Sequence, residues 1–137
     1  MTSATVLDAS AAIHMVLAAD HATSLMERLE QTVSVAAPDL FFSEVGNGLW
    51  KYVQFGTLPL EEARTRLAEA TDLVDSVVPV QELVHEALVA ATRYGHPVYD
   101  MLYAVLARRE GATVLTTDRP FALLLRRMEI DTYCPLE

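Results

Sequence analysis

Residues Val98 to Ala107 read V-Y-D-M-L-Y-A-V-L-A. They follow His96-Pro97, and proline suits the first turn of a helix, where its missing N–H is not needed. Tyr99, Leu102, Tyr103 and Leu106 recur at helical spacing, and most of the rest is Ala, Met and Val. Such a helix is apolar nearly all round and is expected to be buried. Asp100 sits in its first turn. A buried carboxylate requires a partner, hydrogen bonds or a metal, and the helix N-terminus favours an anion only modestly. A capping or purely structural role accounts for one such acid. The chain repeats the feature three more times.

Downstream of this helix, which should end near Gly111, Thr113-Val114-Leu115-Thr116 is a short apolar strand that ends in Thr117-Asp118. A helix over 119–128 and an edge strand over 130–133 follow. At the start of the chain, Ala4-Thr5-Val6-Leu7 is another short, β-prone apolar run of the kind buried on both faces, and it ends at Asp8. Asp8 or Ser10 is a plausible cap for the helix that begins there. Between these ends the pattern predicts a helix over about 23–31 and a strand over 33–36. Pro38-Asp39 then starts a helix that stops near Gly56. Leu58-Pro59 opens a helix to about 73 or 74, with Glu61 and Glu62 in its first turn. A strand over 76–80, weakened by Pro79, precedes an amphipathic helix from Gln81 to Tyr94 that stops at Gly95. There is no repeat, low-complexity segment or Gly/Ser linker.

Strands therefore alternate with helices. The expectation is an α/β fold of three layers, a parallel sheet of four or five strands between helices, forming one domain over 1–137. In such sheets sites form beyond the carboxyl ends of the strands, where Asp8 and Asp118 both stand.

Composition narrows the class. A chain of 137 residues with 52% hydrophobic residues can bury a large core without staples or leave apolar surface for a partner. No apolar run approaches the roughly 20 residues of a membrane span, and no basic segment leads into an apolar one at the N-terminus. The single cysteine, Cys134, cannot form an intrachain disulfide, so a cytoplasmic location is the default. The net charge is −9 and all of it lies in residues 1–92, which carry 13 acids and 4 bases, whereas residues 93–137 carry 6 of each. An acidic chain binds nucleic acid poorly unless metal ions or clustered Arg reverse the field locally.

Four acids stand at boundaries or in apolar settings: Asp8, Asp100, Asp118, and Glu44 within F-F-S-E-V. Asn47 lies three residues after Glu44 on the same helix face, and Ser10 and Thr116 set hydroxyls beside the strand-end acids. Taken singly, Asp8 and Asp118 are as well explained as caps, and Glu44 as the partner of an Arg. Brought together, four carboxylates repel one another and their pKa values rise; a divalent cation removes that penalty. All-oxygen ligands favour Mg²⁺ or Mn²⁺, and Mg²⁺ keeps waters that hydrolysis can use.

The segments V-L-D-A-S-A, P-D-L-F-F-S-E-V-G-N-G-L, Y-D-M-L-Y-A-V-L-A and T-V-L-T-T-D-R-P-F, in this order, resemble the PIN-domain nucleases. Among these the chain is similar to the VapC-type toxins of toxin–antitoxin pairs, and the resemblance spans essentially its whole length. It implies that Asp8, Glu44, Asp100 and Asp118 bind the metal. Ser10, Asn47 and Thr116 fall where the family often has supporting polar residues. It further implies RNA as substrate, 5′-phosphate and 3′-hydroxyl products, an antitoxin protein as partner and a homodimer. A further acid that follows the last one in some members is absent, since Arg119 and Pro120 stand there. Arg119, Arg126 and Arg127 are candidates for substrate phosphates, with solvated surface charge as the equal alternative. Phe41, Phe42, Trp50, Tyr52 and Phe55 crowd one helix that is not expected to bury them all, which suits an isologous dimer. The acidity would steer a basic segment of a partner, and apolar surface would take its amphipathic helix.

Other signals carry less. A phosphorelay receiver requires a lysine at the end of its last core strand, and the only lysine, Lys51, lies mid-helix. A haloacid-dehalogenase-like phosphatase needs an Asp where Ser10 stands. His85-Glu86 lacks the second His of a zincin, because position 89 is Val89. Gly46-Asn47-Gly48 sits inside a helical pattern and is no phosphate loop. His14, His21, His85 and His96 have no metal spacing. The rival from another class is a catalytically silent metal-binding interaction module that acts through a protein partner.

Overall fold

A computed structural model describes residues 4–136. The element order is β1 (Thr5–Leu7), α1 (Ala9–Val16), α2 (Ala22–Glu30), β2 (Val35–Pro38), α3 (Leu40–Gln54), α4 (Leu60–Asp72), β3 (Ser76–Val78), a 3₁₀ turn (Val80–Glu82), α5 (Val84–Tyr94), α6 (Val98–Glu110), β4 (Thr113–Leu115), α7 (Arg119–Arg127) and β5 (Thr132–Tyr133).

The strands form one sheet in the order β3-β2-β1-β4-β5, and every neighbouring pair is parallel. β1 is therefore central. Its residues Thr5, Val6 and Leu7 pair with Thr113, Val114 and Leu115 on one side, and Thr5 and Val6 with Val35 and Ala36 on the other. A strand in that position has no solvent face, which is why its short run carries no alternation. From β1 the chain steps one way to β2 and β3, then returns past β1 to β4 and β5. Right-handed crossovers put the helices of these two journeys on opposite faces. On one side α1, α2, α3 and α4 pack on one another; on the other α5 pairs with α6, and α6 lies against β1, β2 and β4.

α6 is the centre of its layer. Met101 to Ala107 are all buried, seven residues in succession, so the helix is enclosed right round for two turns. Tyr99 is an exception to the expected burial, 65% exposed, because the first turn projects beyond the cover that encloses the helix from Met101 onward. Gly111, at φ 61°, ends α6 in the left-handed conformation that a side chain would strain, and Gly95, at φ 64°, ends α5 likewise. Glu86 on α5 takes Arg108 at 2.9 Å and Arg109 at 3.1 Å from α6, tying the outer faces of the pair together. Across the sheet, Gly48 of α3 leaves room for the tip of the Ile13 side chain of α1, which would have to move if a Cβ were added there.

Several boundaries differ from the sequence pattern, β5 among them, which begins at Thr132 and not at 130. β2 begins at Val35, not Val33, which is 65% exposed. Asp75 fixes the start: its carboxylate accepts the Val35 N–H at 2.9 Å and its own N–H donates to the Val35 carbonyl at 2.8 Å. β3 stops at Val78, since Pro79 has no N–H for the ladder. The 3₁₀ turn that Pro79 introduces delays α5 to Val84. Among the described residues no helix is long and apolar enough to cross a membrane.

Candidate active site

Strands β2, β1 and β4 are neighbours, and each ends by delivering the chain into a helix. The turn after β1 carries Asp8, and the turn after β4 carries Asp118. The second turn of α3, which follows β2, carries Glu44, and the first turn of α6 carries Asp100. These four acids line one cavity of about 380 Å³ together with Ser10, Asn47 and Lys51. Thr116 does not line it but lies directly behind Asp8.

Asp8 is the innermost acid, 6% exposed. It occupies the capping position of α1 yet caps nothing: its Oδ2 accepts the Ser10 hydroxyl and the Thr116 hydroxyl, each at 2.7 Å. Desolvation pushes its pKa up to about 7, against the help of the two hydroxyls, and the charges of Asp100 and Glu44 push the same way. Both hydroxyls also accept. Ser10 Oγ takes the Thr117 N–H at 3.0 Å, and Thr116 Oγ1 takes the Asp118 N–H at 3.0 Å. One threonine hydroxyl thus links the two strand-end acids, and it couples the end of β4 to the end of β1.

The other three acids have partners of their own. Glu44 is half-buried, and the phenol of the fully buried Tyr103 donates to its Oε1 at 2.6 Å. Burial raises the Glu44 pKa, the Tyr103 bond opposes this, and the Asp100 charge adds to it. Tyr103, desolvated and facing Asp8 and Glu44, has its own pKa pushed far up, so it remains a donor. Asp100 Oδ2 lies 2.7 Å from His96 Nε2. Asp118 does cap its helix, accepting the Phe121 N–H at 3.1 Å. In every case a single carboxylate oxygen carries the contact, which leaves the other free to face the cavity.

The donor set is entirely oxygen and suits a hard divalent cation. The burial of Asp8 argues in the same direction. Its partners are uncharged hydroxyls and its near neighbours are anions, an arrangement that is unfavourable until a cation joins it. Among the described residues no three acidic, His or Cys side chains close on one point to form a ready metal cluster. The acids instead surround a shared space.

Arg126 and Arg127 do not reach this cavity. Arg126 donates to the Thr132 carbonyl at 3.3 Å, and Arg127 lies over the Tyr94 ring, 5.6 Å from its centre. At 1.5 Å per residue the helix carries them roughly 12 Å from its capped end. Arg119 is exposed on the first turn of α7 and does not line the cavity either. The basic side chain that does is Lys51, seven residues after Glu44, two turns along the same face of α3. That spacing was readable in the sequence, as was Tyr103 three residues after Asp100. The His96–Asp100 contact spans the turn before α6 at a spacing of four residues, and that too was readable.

The sequence pattern of the PIN domain family matches residues 5–124. Ribonuclease VapC3 of Pyrobaculum aerophilum is 31% identical over 119 residues, covering 85% of this chain and 91% of the relative. A crystal structure of PAE2754 from Pyrobaculum aerophilum superposes with a TM-score of 0.69 at 24% identity, over 93% of this chain and 90% of that one. VapBC2 from Rickettsia felis, solved bound to a DNA fragment from its promoter, gives a TM-score of 0.66 at 15% identity, over 96% of this chain and 98% of that one. At such identities the structural likeness speaks to the fold alone.

Proposed function

Since the chain belongs to the PIN-domain family and to its VapC-type branch, we propose that it is a metal-dependent endoribonuclease, the toxin of a type II toxin–antitoxin pair. The observation that carries this reading is the meeting of acids from four separate elements around one cavity, with the innermost buried against hydroxyls alone.

Asp8, Asp100 and Asp118 would hold a Mg²⁺ or Mn²⁺ ion, and Glu44 completes the site or helps to hold a second. When bound, the cation supplies Lewis acidity towards a phosphodiester and lowers the pKa of water. The rest is the work of the chain. Ser10 and Thr116 fix one oxygen of Asp8, Tyr103 fixes one oxygen of Glu44, and His96 sits against one oxygen of Asp100. Side chains so held need little reorganisation when substrate arrives, which is how positioned groups lower a barrier. Asn47, on the face of α3 between Glu44 and Lys51, presents an amide to the same space, and Lys51 a cation suited to a phosphate.

The family reading extends to partners. VapBC2 from Rickettsia felis is a two-component assembly, and an antitoxin is the partner we propose for this chain. Of the aromatics expected at a dimer interface, Phe41 and Phe42 are not available: Phe41 is fully buried, and Phe42 packs edge-on against it at 5.4 Å. Trp50 and Leu60 on the α3–α4 side and Val84, Leu88 and Val89 on α5 are among the exposed apolar side chains and supply surface for an antitoxin and a homodimer. We further propose a cytoplasmic location, where the RNA substrate is found.

The test is cleavage of total RNA by the purified protein with Mg²⁺, with Mn²⁺ and with EDTA. Cleavage that needs the divalent ion and is abolished in Asp100→Asn, with the fold retained by circular dichroism, is expected. Asp100→Asn protein that cuts at the wild-type rate refutes the assignment of Asp100. Wild-type protein that binds the ion and never cuts is the silent interaction module.

A further inference from the structure

Beside the acid-lined cavity lies a second one of about 470 Å³. Ser10, Ile13, Gly48 and Lys51 line both, so the two are continuous across the contact of α1 with α3. Beyond that shared wall the character changes. The acids are gone, and the far side is formed by Tyr52 and Phe55 at the end of α3. Phe55 is 79% exposed and Tyr52 44%, an unusual outlay of aromatic surface at the lip of a site. In a chain of net charge −9 this cavity is lined by Lys51 and His14 and by no acid.

We propose that the second cavity is a nucleotide subsite. It takes one unpaired base of an RNA strand whose adjoining phosphodiester lies among the carboxylates. Tyr52 and Phe55 stack on the base, and Lys51, at the junction, faces the phosphate between the two positions. The inference rests on the nuclease reading above and adds to it where the substrate's affinity comes from.

Three features select this occupant. The volume lies within the range of small-molecule sites, about 300–1,000 Å³. An acidic protein gains little from phosphate contacts in general, so stacking, which every base can supply, is the natural source of binding. Lys51 at the junction of the two cavities also suits a strand that carries a phosphate beside its base. A base reaches such a cavity only when it is free of a duplex, so the subsite selects single-stranded or looped RNA.

The experiment uses the full chain, with Phe55→Ala and Phe55→Trp, on a short fluorescent single-stranded RNA of mixed sequence. Binding is followed by anisotropy in EDTA, and cleavage is followed in Mg²⁺. Because Phe55 is exposed, its removal leaves the core untouched, and circular dichroism verifies this. Phe55→Ala is expected to weaken binding and raise KM by roughly fivefold or more, the range for loss of one stacked base, and Phe55→Trp to restore both. An abasic site placed next to the cut bond should cost wild type the same factor and Phe55→Ala nothing further. Wild-type RNA binding that Phe55→Ala leaves unchanged overturns the subsite, as does a loss confined to antitoxin binding or to self-association. Binding that responds to Phe55 in a protein that never cuts preserves the subsite and overturns the nuclease reading. A wild-type chain that neither binds nor cuts overturns both.

Discussion

Asp8→Asn should make the metal-free protein more stable, and by an amount that depends on pH. In the unfolded chain this carboxyl ionises near 3.8; in the folded protein it ionises near 7, chiefly because it is desolvated. Between those values the folded state holds a proton that the unfolded state has released, so stability falls as pH rises through the window and then levels off. The difference amounts to roughly 4 kcal/mol above pH 7, at 1.36 kcal/mol per pH unit. Asparagine cannot ionise and keeps a carbonyl oxygen for the hydroxyls of Ser10 and Thr116, so the variant escapes the fall. At roughly 3 °C per kcal/mol for a domain of this size, its Tm at pH 8 should exceed the wild-type value by about 10 °C. Near pH 4 the two should coincide. Differential scanning calorimetry in EDTA across pH 4–8 reads this directly. Saturating Mg²⁺ should then close or invert the gap, because only the wild type gains the full binding free energy. A gap equal at pH 4 and pH 8, or a variant that melts below wild type at pH 8 in EDTA, would falsify the account of Asp8 as a carboxylate held ready for a cation.

Other perturbations probe the partners of the acids. Thr116→Val removes the hydroxyl that joins Asp8 to the Asp118 N–H, and should lower stability by about 1–3 kcal/mol, measured by urea denaturation. Tyr103→Phe deletes the donor to Glu44; about 1–2 kcal/mol is expected, since Glu44 is only half-buried and water can take over in part. No change in midpoint would show that the phenol does not hold Glu44 in solution. Glu86→Gln, which loosens the exposed pairs with Arg108 and Arg109, should cost under about 1 kcal/mol. Light scattering at micromolar concentration should give a dimer mass, and a monomer would remove that proposal.

The fold was legible from local patterns because parallel sheets are built from repeated units. Short apolar runs that end in Asp, and a helix apolar on all sides, already specify a sheet with both faces covered. What escaped the pattern was set by distant chain. Val33 lies outside β2 because Asp75, forty residues on, claims the backbone of Val35. Tyr99 has the right period for burial, but no element covers the first turn of α6. In the site, the positions of Asp8, Glu44, Asp100 and Asp118 followed from their places at strand ends and in early helical turns. Their hydrogen bonds did not. Thr116 could be noted as a hydroxyl near an acid, but its link to an Asp 108 residues earlier exists only once β4 lies beside β1. Arg126 and Arg127 do not line the cavity for a simple reason: proximity in sequence to Asp118 is distance along a helix, whereas Lys51 comes back to the same face after two turns.

The central place of β1 has a consequence for the chain as it is made. β1 emerges first, but one of its two neighbours, β4, lies more than a hundred residues later. The turn after β4 supplies Asp118, and β4 itself closes over Asp8 through Thr116. A nascent or truncated chain that stops short of Thr113 therefore presents β1 with one side unpaired, a bare edge prone to association with other chains. It also lacks an acid and the hydroxyl that anchors another. Pairing across so long a separation is slow, and the cavity is not complete until it is made. Synthesis and activity are in this way separated in time by topology alone: fragments should aggregate and not cut, and only the finished chain carries the hazard.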